Sequence, residues 1–264
     1  MQRKLKKTFK KYTNIPDTFR YAFVGIPGSL IGSKEHFYGT YEVFLRQYPD
    51  LKINVKLPTV LYMHGSSGLY TGDTYRRYIV EDVGAIFFAP DSKRIHGRPS
   101  YTSPVKEKAY IKVHKLRLAE IEYAVAKLQR LPIVDRDNIF LMGNSEGGLA
   151  AAIYKSDAFK GRIITAFSCE SSYFYSRFKL GSKKKEPFLN IMGTDDQFFS
   201  TKSSLNRKYK VQGNGIDALK KYRYAKIVIL TKTKHDITTN PYVRDEIVSF
   251  LRLWIEKDPR RSAS

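Results

Sequence analysis

A short glycine-rich segment contains a serine at a position where its hydroxyl can be activated as a nucleophile. The segment is Gly143-Asn144-Ser145-Glu146-Gly147-Gly148. The preceding residues 138–142 are apolar, with β-branched and aromatic members that favour a strand, and residues 149–154 favour a helix. A serine at a strand-turn-helix junction has a strained backbone, and glycines two residues to either side let the helix fold back beside the strand. The segment therefore predicts a nucleophile elbow that presents Ser145 Oγ for acyl transfer.

A serine nucleophile needs a base to take its proton, and the base needs an acid to hold its tautomer. Ligands of open α/β sheets gather at the carboxyl ends of the strands, and two loops after Ser145 follow predicted strands. One loop carries Asp195 and Asp196, and the other carries His235, the only histidine after Ser145. His235 is the predicted base, while the acid is Asp195 or Asp196.

Backbone amides are the predicted ligands of the oxyanion that forms during acyl transfer. The amide of Glu146 lies at a predicted helix start, and a second donor is expected in the glycine-bracketed loop 64–68, from Ser66 or Ser67. His64, in the same loop, is expected to be structural and to bond within the loop. No metal or organic cofactor is required by this chemistry.

The elements that must position these residues alternate along the chain, which predicts an α/β fold with a mostly parallel twisted sheet and helices on both faces. Strands are predicted at 37–45 (an edge strand), 59–63, 85–89, 163–167, 188–192 and 227–230, and helices at 75–83, 111–131, 216–222 and 245–257. Residues 1–20 are expected to form a basic, weakly ordered arm, and residues 21–264 a single domain. The loop 91–110 has no clear periodicity, which is typical of a functional or mobile segment, and His114 is expected at the surface.

The chain order Ser145, Asp196, His235 resembles that of the α/β-hydrolase triad, and the chain is similar to the dienelactone hydrolase-like branch of that superfamily. The matching segments are 64–68, Ala89-Pro90-Asp91, 134–139, 143–148, 193–196 and His235. The resemblance extends from about residue 56 to the end. It implies an α/β-hydrolase fold, and it selects Asp196 because the family acid usually stands three residues after the glycine that ends the strand.

The same resemblance implies hydrolysis of a carboxylic ester, lactone or thioester through an acyl-enzyme intermediate. Dienelactone hydrolases proper use cysteine, and Ser145 at that position favours general ester hydrolysis over a lactone substrate. A serine peptidase of the prolyl-oligopeptidase type is the alternative within this class, which the lack of a propeller-sized extension disfavours.

The chain has 47 Lys and Arg residues against 25 Asp and Glu, a formal net charge of +22. Such a field attracts nucleic acid, anionic membrane surfaces or acidic substrates, so a small-molecule ester with an anionic group is one expectation. A different hypothesis is a non-catalytic binding protein on a hydrolase scaffold, with Arg3–Lys11 and the aromatic and basic segment Tyr173–Lys185 binding nucleic acid or an anionic surface.

A cytoplasmic location is expected from two features of the sequence. Cys169 is the only cysteine, which excludes an intrachain disulfide, and we expect it to be a buried core thiol. No run of 18 apolar residues appears, and the basic start has no apolar segment of the secretory kind after it.

Overall fold

The described part of the chain, residues 2–256 without the side chains of residues 2–5, forms a central sheet covered by helices in this computed structural model. The strands are β1 (Phe23–Ile26), β2 (Phe37–Thr40), β3 (Leu57–Met63), β4 (Ile86–Ala89), β5 (Val134–Asn144), β6 (Gly161–Thr165), β7 (Phe188–Gly193) and β8 (Ala225–Leu230). Within residues 2–256 they lie in the order β2-β1-β4-β3-β5-β6-β7-β8. Neighbours from β4 to β8 are parallel, whereas β1 is antiparallel to both β2 and β4. This confirms the predicted mostly parallel sheet.

Helices cover both faces of the sheet. They are α1 (Gln2–Lys11), α2 (Ile15–Arg20), α3 (Gly28–Ile31), α4 (Tyr41–Gln47), α5 (Gly72–Arg77), α6 (Glu107–Leu128), α7 (Glu146–Ile153), α8 (Ile216–Leu219) and α9 (Tyr242–Glu256). Along β3, Val60 and Tyr62 join a buried cluster with residues of α5 and α9, while Leu61 and Met63 join a second cluster with residues of α6 and α7. Since both faces are buried, β3 is an apolar run without alternation. None of the described helices has the length and apolar composition that a bilayer-spanning helix requires.

The N-terminal segment is packed, and the expectation of weak order is wrong for residues 12–20. Tyr12 and Ile15 are buried with residues of α6, and the ring of Phe19 lies 4.4 Å from that of Phe88 on β4. Tyr12 lies between α1 and α2, so the inward side of this segment comes from the packing of two short helices and not from one continuous amphipathic helix. Pro16 lies in the first turn of α2, where a missing backbone N–H costs no intrahelical hydrogen bond. The division of the chain at residue 20 stays a prediction.

Two further predictions need correction, and one strand was missed. The expected edge strand 37–45 ends at Thr40, whose Oγ1 accepts from the Val43 amide and caps α4. The antiparallel strand β1 was not predicted, because four residues carry no periodicity signal.

His114 is 2% exposed, since its side of α6 faces the segment around Phe174, whose carbonyl accepts from Nε2 at 3.2 Å. Burial lowers the pKa of His114 to about 4.

Candidate active site

The segment 143–148 forms the predicted elbow between β5 and α7. Ser145 has φ 54° and ψ −114°, a conformation that a residue with a side chain rarely adopts. A Cβ atom on Gly143 would lie 2.2 Å from the Gly147 carbonyl oxygen, and one on Gly147 would lie 2.0 Å from the Met63 carbonyl oxygen. These distances are too short for any side chain, so the close packing of α7 on β3 and β5 requires glycine at both positions.

The structure brings Ser145, His235 and Asp196 together from the ends of three strands. Ser145 follows β5, Asp196 follows β7, and His235 lies in the loop after β8. Ser145 Oγ lies 2.9 Å from His235 Nε2, and His235 Nδ1 lies 2.7 Å from Asp196 Oδ2. Both distances are those of hydrogen bonds, so a proton can pass from the hydroxyl to the ring while the carboxylate fixes the ring tautomer.

Asp196, and not Asp195, is the carboxylate that reaches the histidine. Asp196 is fully buried, and its Oδ1 accepts from the amides of Phe198 at 2.7 Å and Phe199 at 2.9 Å. The remaining oxygen, Oδ2, therefore faces His235. The carboxylate of Asp195 instead accepts a hydrogen bond from the hydroxyl of Thr194, at 3.3 Å. The family spacing and the geometry select the same residue.

His64 holds the neighbouring loop in place, as expected. Its Nδ1 donates to the Gly65 carbonyl at 2.7 Å, and its Nε2 accepts from the Ser92 amide at 3.1 Å. This pair of bonds requires a neutral ring. Burial, together with the charge of Arg117, lowers the pKa of His64 well below its usual value, which keeps the ring neutral.

The predicted oxyanion donors lie around the same opening. Ser66 and Ser67 are exposed on the wall of the cavity that also contains Ser145. Glu146 is the first residue of α7, where an amide has no intrahelical partner. That these amides bind an oxyanion stays a prediction.

A cavity of about 430 Å³ adjoins Ser145 and His235. Its wall is formed by Gly65, Ser66, Ser67, Gly68, Tyr70, Thr71, Tyr101, Thr102, Ser103, Asn144, Tyr173, Phe174, Phe198, Phe199 and Asp236. Aromatic rings and hydroxyl groups dominate this wall, and among the described residues that line it Asp236 is the one carboxylic acid and none is Lys or Arg. The segment 173–185 thus contributes Tyr173 and Phe174 to the inside of the protein, where they are 8% and 2% exposed.

A buried ionic network lies behind the cavity, and sequence reasoning missed it. The Glu146 carboxylate is fully buried, with Arg98 Nη2 at 2.6 Å and the Tyr101 hydroxyl at 2.8 Å. Arg117 pairs with Glu120 at 2.6 Å, and its Nε lies 3.6 Å from Glu146. The signal was present in the sequence, since a charged residue directly after the nucleophile in a buried turn needs a partner.

Other groups that could do chemistry are placed as follows. Cys169 is buried as expected, and burial raises the pKa of its thiol well above the usual value. Among residues 2–256, no group of three His, Cys, Asp or Glu side chains is arranged to hold a metal ion.

No protein-family model matches the sequence, and no curated protein matches it. Solved structures do resemble it at low identity. EstE1, a thermophilic carboxylesterase from a metagenomic library, superposes with a TM-score of 0.52 at 15% identity over 96% of each chain. A protein assigned as a dienelactone hydrolase from Klebsiella pneumoniae gives 0.52 at 16% identity, over 78% of this chain and 89% of that one. Dipeptidyl peptidase 4 from Porphyromonas gingivalis gives 0.51 at 16% identity, over 75% of this chain and 31% of that one. With its parallel sheet order and these structural neighbours, the chain has the α/β-hydrolase fold.

Proposed function

We propose that the protein is a serine hydrolase that cleaves a carboxylic ester through an acyl-enzyme intermediate. The observation that carries the proposal is the unbroken pair of hydrogen bonds from Ser145 through His235 to buried Asp196, at the wall of a cavity. Nucleophile, base and orienting acid in this relation are the parts that acyl transfer by serine needs.

In this mechanism Ser145 Oγ attacks the ester carbonyl while His235 Nε2 takes the hydroxyl proton. Asp196 keeps the other ring nitrogen protonated and stabilises the imidazolium. The amides of Glu146 and of Ser66 or Ser67 donate to the oxyanion, and each such donor contributes about 10²–10³ in rate. The alcohol leaves with the proton from His235. Water then attacks the acyl carbon while His235 takes its proton, and that proton returns to Ser145 Oγ as the acid leaves.

The cavity wall favours an uncharged ester with a bulky apolar or aromatic group. Its rings, among them Phe198 and Phe199, offer apolar surface, whereas Asp236 would repel an anion. The anionic substrate expected from the net charge of +22 is therefore disfavoured, because no Lys or Arg of the described chain lines this cavity.

A fluorophosphonate probe tests the proposal directly. Such probes phosphonylate an activated serine, so we expect one adduct on the folded protein, mapped by peptide mass spectrometry to Ser145, and none on Ser145→Ala. Folding is checked in parallel by circular dichroism. A folded wild-type protein that stays unlabelled would contradict the proposal.

A serine peptidase is the competing function within this class. The likeness to dipeptidyl peptidase 4 covers 31% of that chain, so the remainder of that peptidase has no counterpart in the comparison. A matched pair of substrates, an ester and an anilide with the same acyl group, separates the two functions. We expect hydrolysis of the ester and no measurable hydrolysis of the anilide, whereas clear turnover of the anilide would support the peptidase, because only a peptidase is built to protonate an amine leaving group.

A second candidate function rests on the exposed lysines of α1, of α6 and of the residue before α6, since the two helices pack together. We call them the lysine surface: Lys6, Lys7, Lys10, Lys11, Lys106, Lys108, Lys112 and Lys115. The acids of α6 are engaged elsewhere: Glu107 accepts from Ser176, Glu120 from Arg117 and Ser92, and Glu122 from Tyr154. The lysines therefore give this surface an excess of positive charge. We propose that it binds the phosphate backbone of nucleic acid.

A membrane is disfavoured as the partner, since surface-bound helices normally insert apolar side chains, and no exposed large apolar residue of the described chain lies on α1 or α6. The triple variant Lys108→Glu, Lys112→Glu, Lys115→Glu should weaken binding to a DNA duplex and reduce the slope of log affinity against log salt by about 2–3. The matched control, Lys220→Glu, Lys221→Glu, Arg223→Glu, makes the same change in net charge elsewhere. Equal losses in both variants, or binding to phosphatidylserine vesicles alone, would contradict this assignment.

A further inference from the structure

The residue directly after the nucleophile connects the elbow to the loop that forms one wall of the cavity. Glu146 begins α7, and its carboxylate is fully buried beneath the elbow. Both of its oxygens are occupied: Oε1 by Arg98 Nη2 at 2.6 Å, and Oε2 by the Tyr101 hydroxyl at 2.8 Å. Arg98 and Tyr101 come from the aperiodic loop between β4 and α6, some 45 residues earlier in the chain.

Arg98 uses its whole guanidinium group to fix that loop. Its Nε donates to Ser92 Oγ at 2.8 Å, its Nη1 donates to the Pro99 carbonyl at 3.0 Å, and its Nη2 donates to Glu146. Ser92 is itself held by Glu120, at 2.6 Å. The loop is therefore bonded at several points to buried groups, although it contains only one short helical turn.

Tyr101 joins this network to the cavity. Its hydroxyl points to Glu146, while its ring lines the cavity and packs against Phe174 at 5.9 Å and Tyr110 at 4.9 Å. A tyrosine ring on a loop has rotational freedom that a buried, charge-assisted hydrogen bond removes. The side chain of Glu146, the residue directly after Ser145, thus sets the position of the Tyr101 ring in the cavity wall.

We propose that Glu146 and Arg98 are positioning residues for substrate specificity, which hold the Tyr101 ring at the cavity wall where the acyl group of an ester binds. The inference rests on the proposed ester hydrolysis. It predicts that the network acts on the recognition of large acyl groups and not on the reactivity of Ser145.

The simplest competing explanation is that the network only stabilises the fold, because a buried charge that loses its partner is costly wherever it lies. A second buried ion pair, far from the cavity, serves as the control for this explanation. Arg162 and Glu186 form a buried ion pair at 2.7 Å, on β6 and before β7, at the end of the sheet opposite to Ser145. Arg162 also donates to the carbonyls of Ala151 and Tyr154 at the C-terminal end of α7, so breaking the pair should destabilise the protein while leaving the bonds of Tyr101 intact.

The test compares two esters, 4-nitrophenyl acetate and 4-nitrophenyl benzoate, in three variants. Tyr101→Phe keeps the ring and removes the tethering hydroxyl, and we expect KM for the benzoate to rise about tenfold, so that the benzoate-to-acetate ratio of kcat/KM falls by a similar factor. Arg98→Met should give the same selective change together with a lower Tm. Arg162→Met should lower Tm and leave the benzoate-to-acetate ratio of kcat/KM unchanged.

Each outcome has one meaning. A selective rise in KM for the benzoate in Tyr101→Phe and Arg98→Met, but not in Arg162→Met, supports the inference. Unchanged selectivity in Tyr101→Phe, or equal effects on both esters in Arg98→Met and Arg162→Met, overturns it. Fluorophosphonate labelling of wild-type Ser145 keeps the two proposals apart, since a protein that is labelled but shows no selective change refutes only the positioning role.

Discussion

Replacing Ser145 with alanine is expected to lower kcat for ester hydrolysis by about 10⁶, because the covalent route through the acyl-enzyme is lost. The variant keeps a side chain of nearly the same size at φ 54°, so the elbow and the packing of α7 should persist. His235 would lose its partner at 2.9 Å but keep its bond to Asp196. The measurement is the steady-state rate at saturating 4-nitrophenyl acetate.

Ser249→Ala, on the exposed side of α9, is the matched control for this loss, and its kcat should equal that of the wild type. Unfolding by urea should give the same midpoint for all three proteins. A Ser145→Ala protein that retained more than about a hundredth of wild-type kcat would show that another group attacks the ester.

Replacing Asp196 with asparagine is expected to lower kcat by about 10⁴ through a change of the histidine tautomer. The amides of Phe198 and Phe199 both donate to Oδ1, so the asparagine must keep its oxygen there. Its NH₂ group is then forced to the position of Oδ2 and donates to His235 Nδ1, 2.7 Å away in the wild type. The ring proton moves to Nε2, which can no longer accept the proton of Ser145.

Asp195→Asn provides the control for that variant. It makes the same chemical change one residue earlier, on a side chain that contacts Thr194 and not His235. We expect its kcat to stay within about threefold of wild type, and NMR of the imidazole ring to show the altered tautomer only in Asp196→Asn. Similar losses in both variants would contradict the assignment of Asp196 as the orienting acid.

The parts of the site that were predicted from sequence are those whose signal is local. The elbow depends on six consecutive residues, and Gly143 and Gly147 are needed for contacts made within that unit and with the adjacent β3. His235 was found because no other histidine follows Ser145. The sheet was predicted because strands buried on both faces, such as β3, are unbroken apolar runs.

The parts that were missed depend on partners far apart in the chain. Glu146 and Arg98 are 48 residues apart, so the need of buried Glu146 for a partner does not say which residue supplies it. His114 is buried because the segment around Phe174 folds over α6, a contact across 60 residues. In the N-terminal segment, the apolar residues Tyr12, Ile15 and Phe19 were visible in the sequence. The six basic residues that precede them favoured an exposed arm, but all three are buried. Local charge was a poor guide to burial there.

The glycine contacts at the elbow mean that Ser145 keeps its strained conformation only while α7 stays packed against the sheet. Gly147 touches the end of β3 with no room for even one carbon atom, so a slight separation of α7 from the sheet would release the constrained backbone at Ser145. We therefore expect the proposed ester hydrolysis to be lost as soon as α7 separates from the sheet.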